Sequence, residues 1–371
     1  MVSKPQKQLK GANSKYWDDY SNLQDTKQKL IKYYLQGWFP KLAFGQLSRV
    51  LYFDTHAGKG TYAQGQLGSP LTALNTLIEH NSRDKLLSNC EVVFYFIEET
   101  KENFDSLTIQ LDKLNLPPNI KIHKYCGNCF QIMNECVKSM KEKNAKMAPS
   151  FIFIDPFGFK IPGELLKNLL SFRGVELFVN IIWRELDMAM RGEHGEAMEQ
   201  TVSEIFCGEE WRKVVCSDDF NERAEQSVNL LKEKLGAKWG TYIRMRGDNG
   251  VTRYLLLHLT NHDAGRDLMK DCIWKVCPDG GFDARKSDSI YQYQLITPEP
   301  NLRELESWVI DKLSKQPMRW KELIEELRFE LWRVPHLTKV LGRMRSEKTI
   351  SATDYGGRFS QSTNPLLTLI V

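Results

Sequence analysis

Residues 50–62 hold the pattern that most constrains this chain. Val50 to Phe53 is an apolar run ending at Asp54, and Gly58 and Gly60 follow one residue apart. A second turn signal comes at Gly68-Ser-Pro70, and Leu71 to Ile78 then has helical spacing. The pattern predicts a buried strand, a tight glycine turn and a helix. In an open α/β sheet a nucleotide-like ligand sits beyond the carboxyl end of such a strand. Glycines there let the backbone approach the ligand without a Cβ in the way. A hairpin turn, or a loop that merely needs positive φ, gives the same short pattern.

Further strands follow. Val92 to Ile97 is a near-continuous β-rich run ending in Glu98-Glu99, as expected of a strand buried on both faces. Ile120–Tyr125 runs into Cys126-Gly-Asn-Cys-Phe130, Phe151–Ile154 delivers Asp155-Pro-Phe-Gly158, and Val175–Trp183 is a fifth strand. Helical spacing over Lys101–Leu114 and Phe130–Met140 separates them. Strands alternating with helices predict βαβ units and a parallel sheet. Upstream, Leu23–Leu42 has helical spacing, with Asp25 as the expected N-cap and Pro40 expected to end or kink the helix. Downstream, residues 186–240 are charged and helical in pattern and are expected to form an insertion, either a solvated coat or a lid. Tyr242–Arg246 and Arg253–Thr260 flank the hairpin turn Gly247-Asp-Asn-Gly250. Ala264–Val276 reads as a helix and Tyr291–Ile296 as a last strand.

A length of 371 residues suggests two domains. No apolar run is long enough to span a membrane, and the start Met-Val-Ser-Lys-Pro-Gln-Lys is not that of a secretory signal. A cytoplasmic location is the expectation. Eight scattered cysteines suggest reduced thiols rather than a disulfide framework. Cys126-Gly-Asn-Cys129 has no second Cys/His pair at zinc spacing, so no metal is expected. The net charge of +4 permits nucleic-acid binding without arguing for it.

Residues 1–15 read as a flexible basic tail, 16–300 as a Rossmann-like domain and 301–371 as a separate module. In that module Leu302–Leu313, Trp320–Leu327 and Val334–Ser346 are expected helices, followed by strands at Thr349–Thr353 and Leu366–Ile370. Three helices and a hairpin form the pattern of a winged helix. Arg333, Lys339, Arg343 and Arg345 on its third helix, and Arg358 on the wing, could meet phosphates. A dimerisation or docking module with a solvated basic face fits equally, since the segment has 12 basic against 9 acidic residues.

Tyr52-Phe-Asp-Thr-His-Ala-Gly-Lys-Gly-Thr-Tyr62 with Gly68-Ser-Pro70, Asp155-Pro-Phe-Gly158, Lys27–Trp38 and Tyr254–Trp274 together resemble the three-Cys-motif partner proteins. That family is often encoded beside a radical-SAM-like protein carrying a three-cysteine motif, a candidate partner. The first motif is also similar to large-subunit rRNA adenine-N6 methyltransferases. The resemblance implies a class I S-adenosyl-L-methionine (SAM) methyltransferase fold. By position, Asp54, Gly58 and Gly60 would form the cofactor turn, with His56 inside it. Glu98 would hold the ribose, while Asn128 and Phe130 would border the adenine; on the residues alone, Asn128 reads equally as a helix N-cap. Asp155, Pro156 and Phe157 would sit where adenine-N6 enzymes carry Asp-Pro-Pro-Tyr. Phe157 and Gly158 depart from that motif. The expected function is therefore SAM-dependent methylation of nucleic acid, with a base amino group as one target. The alternative is a methyltransferase-like binding module that docks a partner protein or nucleic acid, in a phage-defence or mobile-element setting.

Overall fold

The computed structural model describes residues 20–45, 47–192, 195–286 and 299–370. They fall into two compact units: residues up to Gly265 with 282–293, and Arg266–Gly281 with the chain from Gln294 onward. The expected strand at Tyr291–Ile296 and the basic tail lie outside the described residues.

The first unit is built on β1 (Arg49–Asp54), β2 (Glu91–Glu98), β3 (Ile120–Cys126), β4 (Ser150–Ile154), β5 (Val175–Ile181), β6 (Trp239–Arg246), β7 (Thr252–Thr260) and β8 (Asp283–Arg285). Their order is β3-β2-β1-β4-β5-β7-β6-β8. Pairing is parallel except where β7 runs antiparallel between β5 and β6. The winding reverses between β1 and β4, the point at which open α/β sheets place their ligands, beyond the carboxyl ends of the strands. The short strand β8 was not foreseen.

Its helices are α1 (Asn22–Ala43), α2 (Ser69–Ile78), α3 (Arg83–Leu87), α4 (Lys101–Leu111), α5 (Cys129–Glu142), α6 (Gly163–Leu170), α7 (Trp183–Arg191), α8 (Glu196–Phe206), α9 (Trp211–Val214) and α10 (Phe220–Lys234). Strand alternation sends Tyr52 and Phe151 to one face, where they meet Tyr34 and Trp38 of α1. The intervening Leu51, Phe53, Ile152 and Ile154 enter a core shared with Leu165, Met190, Phe206 and Leu231 of the other face. Helices α7–α10 are therefore not a solvated coat. They bury apolar faces, and Arg223 donates to Asp187 at 2.6 and 3.1 Å deep inside them.

Helix α1 corrects one expectation and narrows another. Its N-cap is Ser21, in a capping box with Gln24, not Asp25. Pro40 lies inside the helix, three residues before its last residue Ala43, so of the two expected outcomes it does not end the helix at that point. Proline at that position deprives the Gln36 carbonyl of its helical donor, and His80 Nε2 lies 3.1 Å from that oxygen as a substitute.

The second unit holds the bulk of α11 (Asp263–Val276), then α12 (Arg303–Lys315), β9 (Met318–Arg319), α13 (Trp320–Leu327), α14 (Val334–Ser346), β10 (Ile350–Thr353) and β11 (Leu366–Leu369). Most of α11 thus clusters with the C-terminal segment, whereas the sequence reading assigned it to residues 16–300. The strands form an antiparallel sheet in the order β10-β11-β9. Leu305, Val309, Trp320, Leu323, Leu337, Leu341 and Leu367 make its core. Arg266, Lys270 and Trp274 recur every four residues along one stripe of α11. They donate to the carbonyls of Leu327, Arg328, Glu330, Leu331 and Trp332, which follow or end α13.

Candidate active site at the β1–β4 switch point

Register places Asp54 beside Phe153, so the tips of β1 and β4 are neighbours. Thr55 N donates to Phe153 O at 3.0 Å and binds the two loops together as they leave the sheet. Asp54 is fully buried. The His56 amide reaches its Oδ1 at 3.3 Å, while Oδ2 has no hydrogen-bond partner. Burial pushes the Asp54 carboxyl up to about 7, with the charge of Asp155 adding to the rise; Ser69, the His56 amide and Lys27 offset only part.

Asp155 sits just past β4 and behaves oppositely. Burial alone would raise it, but Lys27 Nζ at 2.5 Å and Asn180 Nδ2 at 2.6 Å hold it below the ordinary carboxylate range. Two adjacent carboxyls whose surroundings push their protonation apart are the usual mark of a chemical site. Lys27 reaches Asp155 because α1 is pinned further along the same face. Tyr34 and Trp38, seven and eleven residues on, donate to the buried Glu176 at 2.5 and 2.9 Å, and His258 Nε2 lies 3.0 Å from the same carboxylate.

The glycine turn is built as the sequence suggests, with Gly58 at φ 65° and Gly60 at φ 95°. It folds back on itself through Gly68 N to Gly60 O at 2.7 Å. A Cβ on Gly60 would run into Gln110, whose amide holds the Lys59 carbonyl at 2.6 Å. Glu98, at the tip of β2, accepts from Gly58 N at 2.7 Å and Thr100 N at 2.8 Å. Its carboxylate therefore anchors the turn. Asn128 caps α5, accepting from Gln131 N at 3.1 Å. His56 packs edge-on to Phe130 at 5.7 Å, with Cys129 Sγ 3.3 Å from its Nε2, and burial pushes its pKa down to about 4.

Beside Asp155 lies a cleft of about 640 Å³ lined by Lys27, Asp155, Phe157, Asn180, Arg253 and Tyr254, among others. Pro156, also in its lining, is largely buried, while Phe157 is 49% exposed. Thus Asp54, His56 and Asp155 are brought together, whereas Asn128 caps a helix end and Glu98 is tied into backbone. Sequence reasoning missed Lys27 and Asn180. The signal for Asn180 was one polar residue in the otherwise apolar stretch Leu177–Trp183.

Four of the five basic residues expected to meet phosphate are engaged within the second unit. Arg333 lies over Trp274 and 3.5 Å from Asp271. Lys339 pairs with Glu299 at 2.8 Å, Arg343 with Glu306 at 2.5 Å, and Arg345 lies over Tyr355 at 4.0 Å. None of the ion pairs seen among the described residues involves Arg358. The described residues contain no cluster of His, Cys, Asp and Glu able to hold a metal ion, and no helix long and apolar enough to cross a membrane.

The strand order defines a Rossmann-like α/β protein, with two buried carboxyls at the switch point and a cleft beside Asp155. No family model and no curated protein sequence matches the chain. Among solved structures it is similar to Trm1 from Pyrococcus horikoshii, solved with S-adenosyl-L-methionine, at 11% identity over 97% of this chain and 94% of that one, with a TM-score of 0.37. It is also similar to the O-methyltransferase from Bacillus cereus in complex with SAH, at 11% identity over 67% and 100% of the chains, TM-score 0.33. Protein LPL1258 from Legionella pneumophila shares 14% identity over 63% and 85%, TM-score 0.35. At these scores none of the three bears on what this chain binds or does.

Proposed function

We propose that the chain is a SAM-dependent methyltransferase acting on nucleic acid, with a base amino group as its target. The observation that carries this reading is the pairing of Asp54 and Asp155 at adjoining strand tips, with carboxyls pushed in opposite directions. The fully buried Asp54 carboxyl, pushed up despite Ser69 and Lys27, suits a cationic cofactor, because a further positive neighbour would favour its ionised form. Gly58 and Gly60 keep side chains off the turn where the cofactor's amino-acid portion would lie, with Glu98 bonded to the turn and His56 packed on Phe130. SAM supplies an electrophilic methyl group on a sulfonium. The protein then has mainly to hold a nucleophile in line with it. Asp155 accepts from that nucleophile, buried Pro156 stiffens the loop, and the exposed Phe157 ring offers a stacking surface for an extruded base. Arg184, Arg253 and Lys286 along the cleft provide positive charge for a phosphate backbone. The second unit, with its order of helix, strand, two helices and hairpin, is read as a winged helix that guides the nucleic acid.

The test uses the full chain. Calorimetry with SAM should give saturable heat, and Asp155→Ala should keep that binding while losing methyl transfer to nucleic acid. A variant that binds SAM and methylates at full rate removes Asp155 from the mechanism.

A methyltransferase-like binding module, with or without a three-Cys-motif partner, is the second reading. What favours it is Glu98, whose carboxylate already serves the Gly58 and Thr100 amides. Absence of heat at high SAM concentration selects it.

A further inference from the structure

Asn180 has a polar atom that the fold leaves unused. It is 6% exposed, it lines the cleft, and its Nδ2 donates to Asp155 Oδ1 at 2.6 Å. The orientation of its amide is chemically forced. Asp155 is held ionised beside Lys27 and can only accept, so it must face the NH₂ end. That leaves Oδ1 on the other side, where it meets no donor. A buried carbonyl oxygen without a donor is uncommon and calls for a partner that binds later.

We propose that Asn180 Oδ1 and the Asp155 carboxylate are paired acceptors for the two N–H bonds of a primary amine on a planar base, which the Phe157 ring stacks. The assignment rests on the methyl-transfer reading above and names the residue that gives its target amine a second acceptor. A hydroxyl has one hydrogen and fills one acceptor; an amine has two and fills both. Holding both fixes the plane of the amine, and with it the perpendicular axis along which its lone pair can attack. An aliphatic ammonium is disfavoured, because Lys27, Arg184, Arg253 and Lys286 outnumber Asp155 and Glu185 along the cleft. A neutral aromatic amine carried on a phosphate backbone meets no such repulsion. In the transfer the amine's lone pair forms the N–C bond as the methyl's bond to sulfur breaks. Sulfur keeps that electron pair as a thioether, and the nitrogen sheds one proton to water in the open cleft.

The experiment incubates the full chain with labelled SAM and single-stranded DNA or RNA oligonucleotides, digests them and identifies the methylated nucleoside by mass spectrometry. The expected product carries the methyl on an exocyclic amine of adenine or cytosine, and the DNA and RNA arms distinguish the source. Replacing the target adenine by hypoxanthine or by unsubstituted purine should abolish transfer by the unmodified protein. Asn180→Leu should slow transfer about ten- to a hundredfold while SAM affinity by calorimetry stays unchanged. Methyl found on a ring nitrogen, a carbon or a ribose oxygen overturns the assignment, as does hypoxanthine accepted as well as adenine. Those outcomes leave SAM binding and transfer intact. A chain that binds no SAM and methylates nothing overturns the methyl-transfer reading itself, and the assignment with it.

Discussion

Lys27 Nζ lies 2.5 Å from Asp155 Oδ2, with side-chain exposures of only 6% and 17%. The two residues are 128 positions apart in the chain. The helix that carries Lys27 is thus also the wall of the candidate site. Removing one partner of a buried pair leaves an uncompensated charge, which costs about 3–5 kcal/mol. Lys27→Met should lower the urea midpoint accordingly, and adding Asp155→Asn should recover part of the loss. An unchanged midpoint in Lys27→Met would show that the pair is not buried in solution.

Asp54 gives the protein a characteristic response to pH. Folded, its carboxyl keeps a proton to about pH 7, against an ordinary value of 3.8. Between those values the native state binds more protons than the unfolded chain, so this group makes stability fall as pH rises. Asp155 works the other way: its stabilisation is present above the ordinary carboxylate range and lost as pH drops below it. Asp54→Asn should therefore gain on the unmodified chain by roughly 3–4 kcal/mol between pH 4 and 7. Urea titrations across that range measure it, and parallel curves for the two proteins contradict it. Because a sulfonium favours the ionised form, SAM affinity should also rise through pH 7.

Part of this site was legible in the sequence, and the rest was hidden for identifiable reasons. Asp54, Gly58, Gly60 and Asp155 stand at strand ends, where period and turn chemistry expose them. The parallel sheet closed by an antiparallel strand was visible for the same reason. Lys27 was not, because a lysine at helical spacing reads as a solvated face until tertiary packing buries it. That α1 runs on past Pro40 was not legible, because the compensating His80 lies outside the helix. Glu98 was rightly seen as a strand-tip acid. Its use by the Gly58 and Thr100 amides depends on loop geometry that sequence does not carry.

Glu98→Gln tests that loop anchor. The amide has only one acceptor oxygen, so either Gly58 N or Thr100 N loses its partner. Leaving a buried amide unpaired costs about 1–3 kcal/mol. Hydrogen exchange at Gly58 or Thr100 should accelerate, with a matching drop in thermal stability. If the variant keeps both protections, the carboxylate is not what holds the turn.

The second unit makes a prediction about charge that separates paired from unpaired cations. Arg343 is already compensated by Glu306, while no ion pair seen among the described residues involves Arg358. Counterion release requires a cation that can neutralise a phosphate, and a compensated arginine gives little. With the full chain and a fluorescently labelled duplex, Arg358→Ala should weaken binding and reduce the salt slope by about 1. Arg343→Ala should leave both nearly unchanged, and Glu306→Ala, by releasing Arg343, should tighten binding at low salt. Equal losses from Arg343→Ala and Arg358→Ala would mean that the Glu306 pair opens on binding, and that the basic face of α14 meets phosphate after all.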